Sequence, residues 1–504
     1  MPISQGIVMR RKSWAFALCA AAYLTIVGGL TALNWTQTGS IGPEPRRDGP
    51  EWEIIRTLSP LPETPPPDTT NAFGDDPRAA RLGQMLFFEK GIAGPIITGN
   101  DGHNGGLGQP GQTGRIACAS CHQPDSGWMF DVRSNTGVPQ NPHATALGAT
   151  WTVRNVSSII NTAYYHIWHE NDGVSDSSWA DALTDPEDYH SQNGSRLQVA
   201  HVIWNKYHQE YDAIFSRSPA PLDPRLDPQN PHAADFPPTG KPGDPQWEAI
   251  PDADKDIINH IFANFGKAIQ AYLRRCISRN APFDRYVAGD DDAINHSARR
   301  GLMLFVSQRV NCVACHSGPL FSDSQFHTTG LHVNTDLSPH ADPTELGRFS
   351  ALQLVLSDAE GTTGEFNVNS EYSDNPNTGF LTGLVPTDAD KGKWRTKELR
   401  QVGVTAPYMH TGQMPTLMDV INFYDRGGDP AGSFFGTKSP LMHPLNLTLE
   451  EKYDLIAFLN TLTGDPLPPY LTQDTSKPDH FAPLDDNNPR DRQGTPRHRG
   501  DGRR

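Results

Sequence analysis

Two pentapeptides constrain this chain more than anything else in it: Cys118-Ala-Ser-Cys121-His122 and Cys312-Val-Ala-Cys315-His316. In a C-x-x-C-H pattern two thiols reach the porphyrin vinyl groups as thioethers while the adjoining imidazole reaches the iron. Each motif therefore predicts a covalently bound haem c around which the chain must fold. The composition, with six cysteines and 19 histidines, predicts about 0.003 such motifs by chance, so two of them form a pattern. A thioredoxin-like redox site would use one C-x-x-C beside a βαβ pattern, which is missing. A zinc site would combine both pairs and leave the two histidines unexplained. The reading is two haem c groups, attached at Cys118, Cys121, Cys312 and Cys315, with His122 and His316 as proximal iron ligands. Cys19 and Cys276 are not spaced as a disulfide framework.

Haem c is attached outside the bacterial cytoplasm, and the N-terminus agrees. Arg10-Arg11-Lys12 precedes an almost uncharged stretch from Ser13 to Trp35, which makes residues 1–36 an export signal. The stretch is long enough to span a bilayer, and no Ala-x-Ala site follows it cleanly. Cleavage and retention as an N-terminal membrane anchor both fit. Leu18 stands where a lipoprotein needs a small residue before its cysteine, which argues against lipidation. Either way the bulk of the chain is expected in the periplasm, or otherwise outside the cytoplasmic membrane.

Residues 37–70 are Pro-rich and polar and read as a linker. Residues 71–250 are expected to form an N-terminal haem domain ending in a second Pro-rich connection. Residues 251–481 are expected to form a C-terminal haem domain, and 482–504 a disordered tail. The spacing predicts helices over 77–90 and 254–279, the second from Ile258, Ile261, Phe262, Phe265, Ile269, Tyr272 and Leu273 at i, i+3, i+4 intervals. Thr416 with Asp419 and Thr448 with Glu451 are capping boxes that start helices over 417–425 and 448–463. Strand signals are weak, and 45 Gly with 44 Pro among 504 residues suit irregular connections. The predicted fold is mainly α, as two cytochrome-c-like haem domains with long irregular loops. An internal echo supports duplication: "ARLGQMLFFEK" precedes the first haem motif and "ARRGLMLFVSQRVN" the second. A formal net charge of -16 without a basic run excludes nucleic acid as partner; it serves solubility or attracts a basic protein.

Further segments carry a family resemblance: "RNVSSIINTA", "FGKAIQAYLRR", "LRQVGVTAPYMHTGQMPTL" and "VINFYDRGG". With the two haem motifs, residues 79 to 464 resemble the bacterial di-haem cytochrome c peroxidases, a family that includes the MauG-type enzymes of methylamine utilisation. The resemblance implies that hydrogen peroxide is reduced at the N-terminal haem. Electrons would pass through the C-terminal haem from a small c-type cytochrome or a copper protein. It also implies a calcium ion between the domains, carried over to Asn161, Thr405 and Pro407, and a homodimer as one assembly. Family members that ligate the C-terminal haem with methionine place it fourteen positions after the histidine of this loop. From His410 that position is Tyr424, as in MauG-type enzymes, so Tyr424 is the expected distal ligand of the His316 haem. Its own spacing places Tyr424 on a buried stripe with Leu417, Val420 and Ile421, so a core tyrosine is the alternative. Met409, Met414 and Met418 are the other candidates, and His410 is expected to be structural.

The match fails around the first haem. Asn171 replaces the Trp of the family's Trp-Asp-Gly-Arg motif, Val174 replaces its Arg, Asp181 falls where Gln is expected and Ser191 where the acid is expected. The candidate distal acid/base residues are Glu187 and Asp188, although carboxylates in a "DPED" turn also serve as solvated caps. Trp168 or Trp179 would replace the missing Trp, or be core aromatics. His143 is a candidate capping ligand of the first iron, or an exposed loop residue. Three functions stay open: peroxide reduction, MauG-type oxidation of a protein or organic substrate, and electron carriage without catalysis.

Overall fold

The computed structural model describes residues 45–98, 107–124, 148–152, 154–165, 169, 172–216, 221–334, 346–356, 362–376, 381 and 383–477. The export segment 1–36, His143, Trp168 and the tail 482–504 lie outside the described residues. The described chain is mainly helical. In order come α1 (Pro50–Thr57), α2 (Pro77–Phe88), α3 (Cys118–Cys121), α4 (Ser178–Asp181), α5 (Thr184–Glu187), α6 (Arg196–Phe215) and α7 (Asp252–Leu273). Then follow α8 (Pro282–Ala288), α9 (His296–Val306), α10 (Leu417–Asp425) and α11 (Leu449–Asn460). Among the described residues the one sheet pairs β1 (Phe326–His327) with β2 (Trp394–Arg395), antiparallel, with Phe326 opposite Arg395 and His327 opposite Trp394. No helix among the described residues is long and apolar enough to cross a membrane.

A glycine in each copy of the echoed motif sets a helix crossing. In "ARLG", Gly83 of α2 lies so close to α7 that a Cβ there would meet the Ala268 carbonyl oxygen at 1.8 Å. In "ARRG", Gly301 of α9 approaches α11 equally closely, with a Cβ 1.9 Å from the Asp454 carbonyl oxygen. Only a residue without a side chain permits backbones this near. The echo is thus a shared packing device, one crossing under each haem motif.

Each crossing carries its own core. The first gathers Leu86, Phe87, Trp179, Phe215, Phe262 and Tyr272, and the second Trp52, Phe283, Leu302, Phe305, Phe321 and Phe458. Helix α7 begins just after the boundary expected at 250 and 251, and its apolar residues from Ile258 to Leu273 are buried in the first core. Its apolar face is complementary to α2, so contact decides membership where loop composition does not. Within the stretch 37–70, α1 buries Trp52 and Ile55 in the second core, with Trp52 edge-on to Tyr286 at 5.8 Å. Helices α10 and α11 start as the capping boxes predict, with Thr416 accepting from the Asp419 N–H and Thr448 from the Glu451 N–H.

Candidate haem sites

Both haem motifs fold into the same turn. The His122 N–H donates to the Cys118 carbonyl at 2.9 Å, and the His316 N–H to the Cys312 carbonyl at 2.9 Å. None of the four motif cysteines is in a disulfide. Burial pushes the Cys118 thiol up to about 12, with Asp185 adding to the effect, and burial likewise pushes Cys312 up to about 12. Such sites disfavour thiolate and suit apolar thioethers. Cys118 packs against the first core and Cys312 against the second, which removes a zinc site built from both pairs. The His316 Nδ1 donates to the Phe321 carbonyl at 2.9 Å, and burial keeps its ring neutral. That bond fixes the tautomer and leaves Nε2 for a metal. These residues fit a haem at each motif.

The first motif opens on a cavity of ≈ 230 Å³. Apolar walls come from Phe87, Ile159, Ile269 and Leu273, and Cys118, Cys121 and His122 stand at one side. The polar wall comes from α4, α5 and the turn after them, through Asp181, Asp185, Asp188, His190, Ser191 and Gln192. Asp181 ends α4, Asp185 lies in α5 and Asp188 caps α5, and all three line this wall. Burial raises the Asp185 carboxyl to about 6; Ser191 opposes this and Asp188 reinforces it. Burial would raise Asp188 too, but His190 and Ser191 hold it below its ordinary value. Its Oδ1 lies 3.2 Å from His190 Nδ1, and its Oδ2 accepts from the Ser191 hydroxyl at 3.0 Å. Two neighbouring carboxyls pushed apart in this way separate a proton carrier from a fixed anion.

Of the two expected acids, Asp188 lines the cavity, and Asp185 lines it beside Asp188. Glu187 is not among the cavity-lining residues: it lies on the opposite side of the α5 turn and is bound to Arg196. The signal was present in "DPED", since i and i+3 share a helix face while i+2 does not. Trp179 is likewise absent from the cavity. It is fully buried in the first core, with its indole N–H donating to Thr70 at 3.0 Å. Sequence reasoning also missed His169, a buried cavity residue whose ring burial drives to about 3, with Arg395 and Lys397 adding to the shift.

At the second motif Tyr424 lies on α10. Burial raises its phenol well above the ordinary value, and Cys312 and Cys315 contribute, which puts it within electrostatic reach of the haem thiols. The expected stripe divides: Leu417 and Ile421 enter the second core, while Val420 and Tyr424 pack near Met414 and Phe423 in a separate cluster. Phe423, off that stripe, is the fully buried residue of the helix. Met414 is buried with Leu331 and Phe423, and Met409 borders the same cluster. His410 stacks on Trp394 at 3.7 Å. Cys315, Asp323 and His327 converge with ligand atoms within 4.8 Å of one another, but Cys315 belongs to the haem motif. Two of the residues expected at a calcium ion bond to protein groups. The Pro407 carbonyl accepts from Asn155 at 2.7 Å, whereas the Asn161 amide closes on both the N–H and the carbonyl of Ser278.

Two helix-crossing cores, each bearing a C-x-x-C-H turn, define a di-haem c-type protein. Comparison with known proteins gives the family. A family model described as di-haem cytochrome c peroxidase matches residues 77–292. The cytochrome-c peroxidase IdrP1 of Denitromonas iodatirespirans is 30% identical over 434 residues, covering 85% of this chain and 91% of the relative. The methylamine utilization protein MauG of Methylorubrum extorquens is 24% identical over 462 residues, covering 90% of this chain and 94% of that protein. A crystal structure of a MauG-like protein associated with microbial copper homeostasis shares the fold, with TM-score 0.54 and 21% identity over 83% of this chain and 99% of that one. The chain belongs to the di-haem cytochrome c peroxidase family, and is a peroxidase-like oxidoreductase with two haem c groups.

Proposed function

We propose that the chain reduces hydrogen peroxide at the haem of Cys118, Cys121 and His122, with electrons arriving through the haem of Cys312, Cys315 and His316. The observation that carries this reading is the cavity beside the first motif, with Asp185 raised to about 6 on its wall. Haem iron supplies the centre at which peroxide binds and is reduced. As a carboxylate, Asp185 accepts the proton that peroxide releases on binding; as a carboxylic acid it returns that proton to the leaving oxygen. Asp188 stays anionic and orients His190. The apolar wall of Phe87, Ile159 and Leu273 limits water around the reacting oxygens.

Were Tyr424 to ligate the second haem, it would favour a second reading, MauG-type oxidation of a protein or organic substrate. A phenolate oxygen favours ferric or higher-valent iron, where a thioether would favour ferrous iron. Steady-state peroxide consumption with a reduced small c-type cytochrome or copper protein tests the first reading. Consumption with no such donor, coupled to oxidation of an added phenol, marks the second.

The N-terminal haem domain is the first core with α7, and the C-terminal domain is the second core with α1. Calcium would rest on Asn161 and on the carbonyls of Thr405 and Pro407. A chelator that leaves both haem spectra and peroxide turnover unchanged removes the ion. Export, periplasmic residence and a homodimer accompany the same reading.

A further inference from the structure

We propose that Tyr165 and Glu398 form a proton-coupled electron relay between the two haem sites. The inference rests on the peroxidase reading, because it needs an oxidant at the first haem and a reductant at the second.

Tyr165 lines the first cavity, and its hydroxyl donates to Glu398 Oε1. Arg395 lies over the Tyr165 ring at 4.6 Å and pairs with Glu398 at 3.3 Å, its own side chain 1% exposed. Burial opposes the charge on Glu398, but Lys397 and Arg395 outweigh it and hold the group ionised, down to about 2. Burial and the Glu398 charge keep the Tyr165 phenol protonated. A buried phenol thus faces a carboxylate that bears no proton.

The chain around Glu398 reaches the other haem site. Lys397 lines the first cavity, and its backbone bonds to the imidazole of His316. The Thr396 N–H donates to the Gln325 carbonyl at 2.8 Å, and β2 is held to β1 through Arg395 and Phe326. One short segment therefore joins the wall of the first site to the proximal ligand of the second.

A phenol in a buried site loses an electron readily only if its proton leaves at the same time, since a phenol radical cation would be an unpaired buried charge. Here the electron passes from Tyr165 into the peroxide-oxidised first haem. The phenolic O–H bond breaks, and an O–H bond forms on Glu398 Oε1. One electron arriving from the reduced second haem then restores the tyrosine, and Glu398 returns the proton. The net change is one electron moved between the haems and no proton released.

The test uses the full di-haem protein with its second haem reduced, mixed with hydrogen peroxide in a stopped-flow spectrometer in H₂O and in D₂O. The first phase, dependent on peroxide concentration, reports the first haem. The second phase reports oxidation of the second haem. The relay predicts that Tyr165→Phe and Glu398→Gln each slow the second phase relative to the first by at least about tenfold. It also predicts that a solvent isotope effect of about two or more on the second phase disappears in Tyr165→Phe. Freeze-quenched paramagnetic resonance should detect a tyrosyl radical in the parent protein and none in Tyr165→Phe. An unchanged ratio of phases with the isotope effect retained in either correctly haem-loaded variant overturns the relay. Absence of the first phase from the parent protein overturns the peroxidase reading instead, and the relay with it.

Discussion

Both carboxylate oxygens of Glu187 are held by Arg196: Oε1 accepts from the backbone N–H at 2.9 Å and from Nε at 3.0 Å, and Oε2 from Nη2 at 2.9 Å. The Arg196 side chain is fully buried, so the pair stands in a low-dielectric core under the aromatic rings of Trp247 and Phe262. Removing Glu187 leaves the buried guanidinium with Glu365 as its remaining carboxylate, at 2.7 Å, and strips its Nε and Nη2 of their partners. Glu187→Ala is expected to lose about 1–3 kcal/mol of stability in urea unfolding. The peroxide reaction of the folded, haem-loaded variant should change by less than about tenfold, since Glu187 moves no proton to substrate.

Asp185 should set the pH dependence. Its carboxyl is raised from the ordinary 3.8 to about 6, and the first proton transfer needs the carboxylate. The rate of the peroxide reaction is therefore expected to be low below pH 6 and to rise to a plateau above it. Asp185→Asn should abolish that step. The same raised value means that ionisation of Asp185 opposes folding: its contribution is most favourable below its unfolded value and lost as pH rises through about 6. Asp185→Asn should consequently stabilise the protein at pH 7 by about 1–3 kcal/mol in the same unfolding experiment.

The glycine crossings predict a matched pair of failures. Ala at position 83 would drive its Cβ to 1.8 Å from a backbone oxygen of α7, and Ala at 301 to 1.9 Å from one of α11. Backbone cannot yield as a flexible side chain can. Gly83→Ala and Gly301→Ala are each expected to cost at least about 3 kcal/mol. Gly83→Ala should weaken haem attachment at the first motif, and Gly301→Ala at the second. Haem counting by mass spectrometry of each variant checks this.

These findings show what local sequence carries. The haem turns, the capping boxes of α10 and α11 and the apolar period of α7 were legible, because each depends on residues within a few positions of one another. The partner of α7 was not, since a Pro-rich connection marks a break in composition and not a break in packing. In α1 the apolar Trp52 and Ile55 were hidden between Pro-rich flanks. The three carboxylates of "DPED" are alike in chemistry and differ only in direction: Asp185 and Asp188 face the cavity, and Glu187 faces Arg196. The contact of Tyr165 with Glu398 spans 233 positions, and no local pattern encodes it.

Tyr424→Phe removes the oxygen proposed for the second haem. The ferric spectrum of that haem should change, with its reduction potential rising as the hard ligand is lost. The spectrum of the first haem should stay as it was. An unaltered second-haem spectrum would make Tyr424 a packing residue of the Met414 and Phe423 cluster.

The central claim is that peroxide is reduced at the first haem with Asp185 moving the proton. Stopped-flow absorption of the di-haem protein mixed with hydrogen peroxide, fully ferric and then half-reduced, tests it most directly. The account predicts a fast, peroxide-dependent change in at least one of these states, slowed by about 10²–10⁴-fold in Asp185→Asn. No change in either state, or an undiminished rate in Asp185→Asn, would contradict it; the first outcome would leave an electron carrier, and the second a different proton carrier.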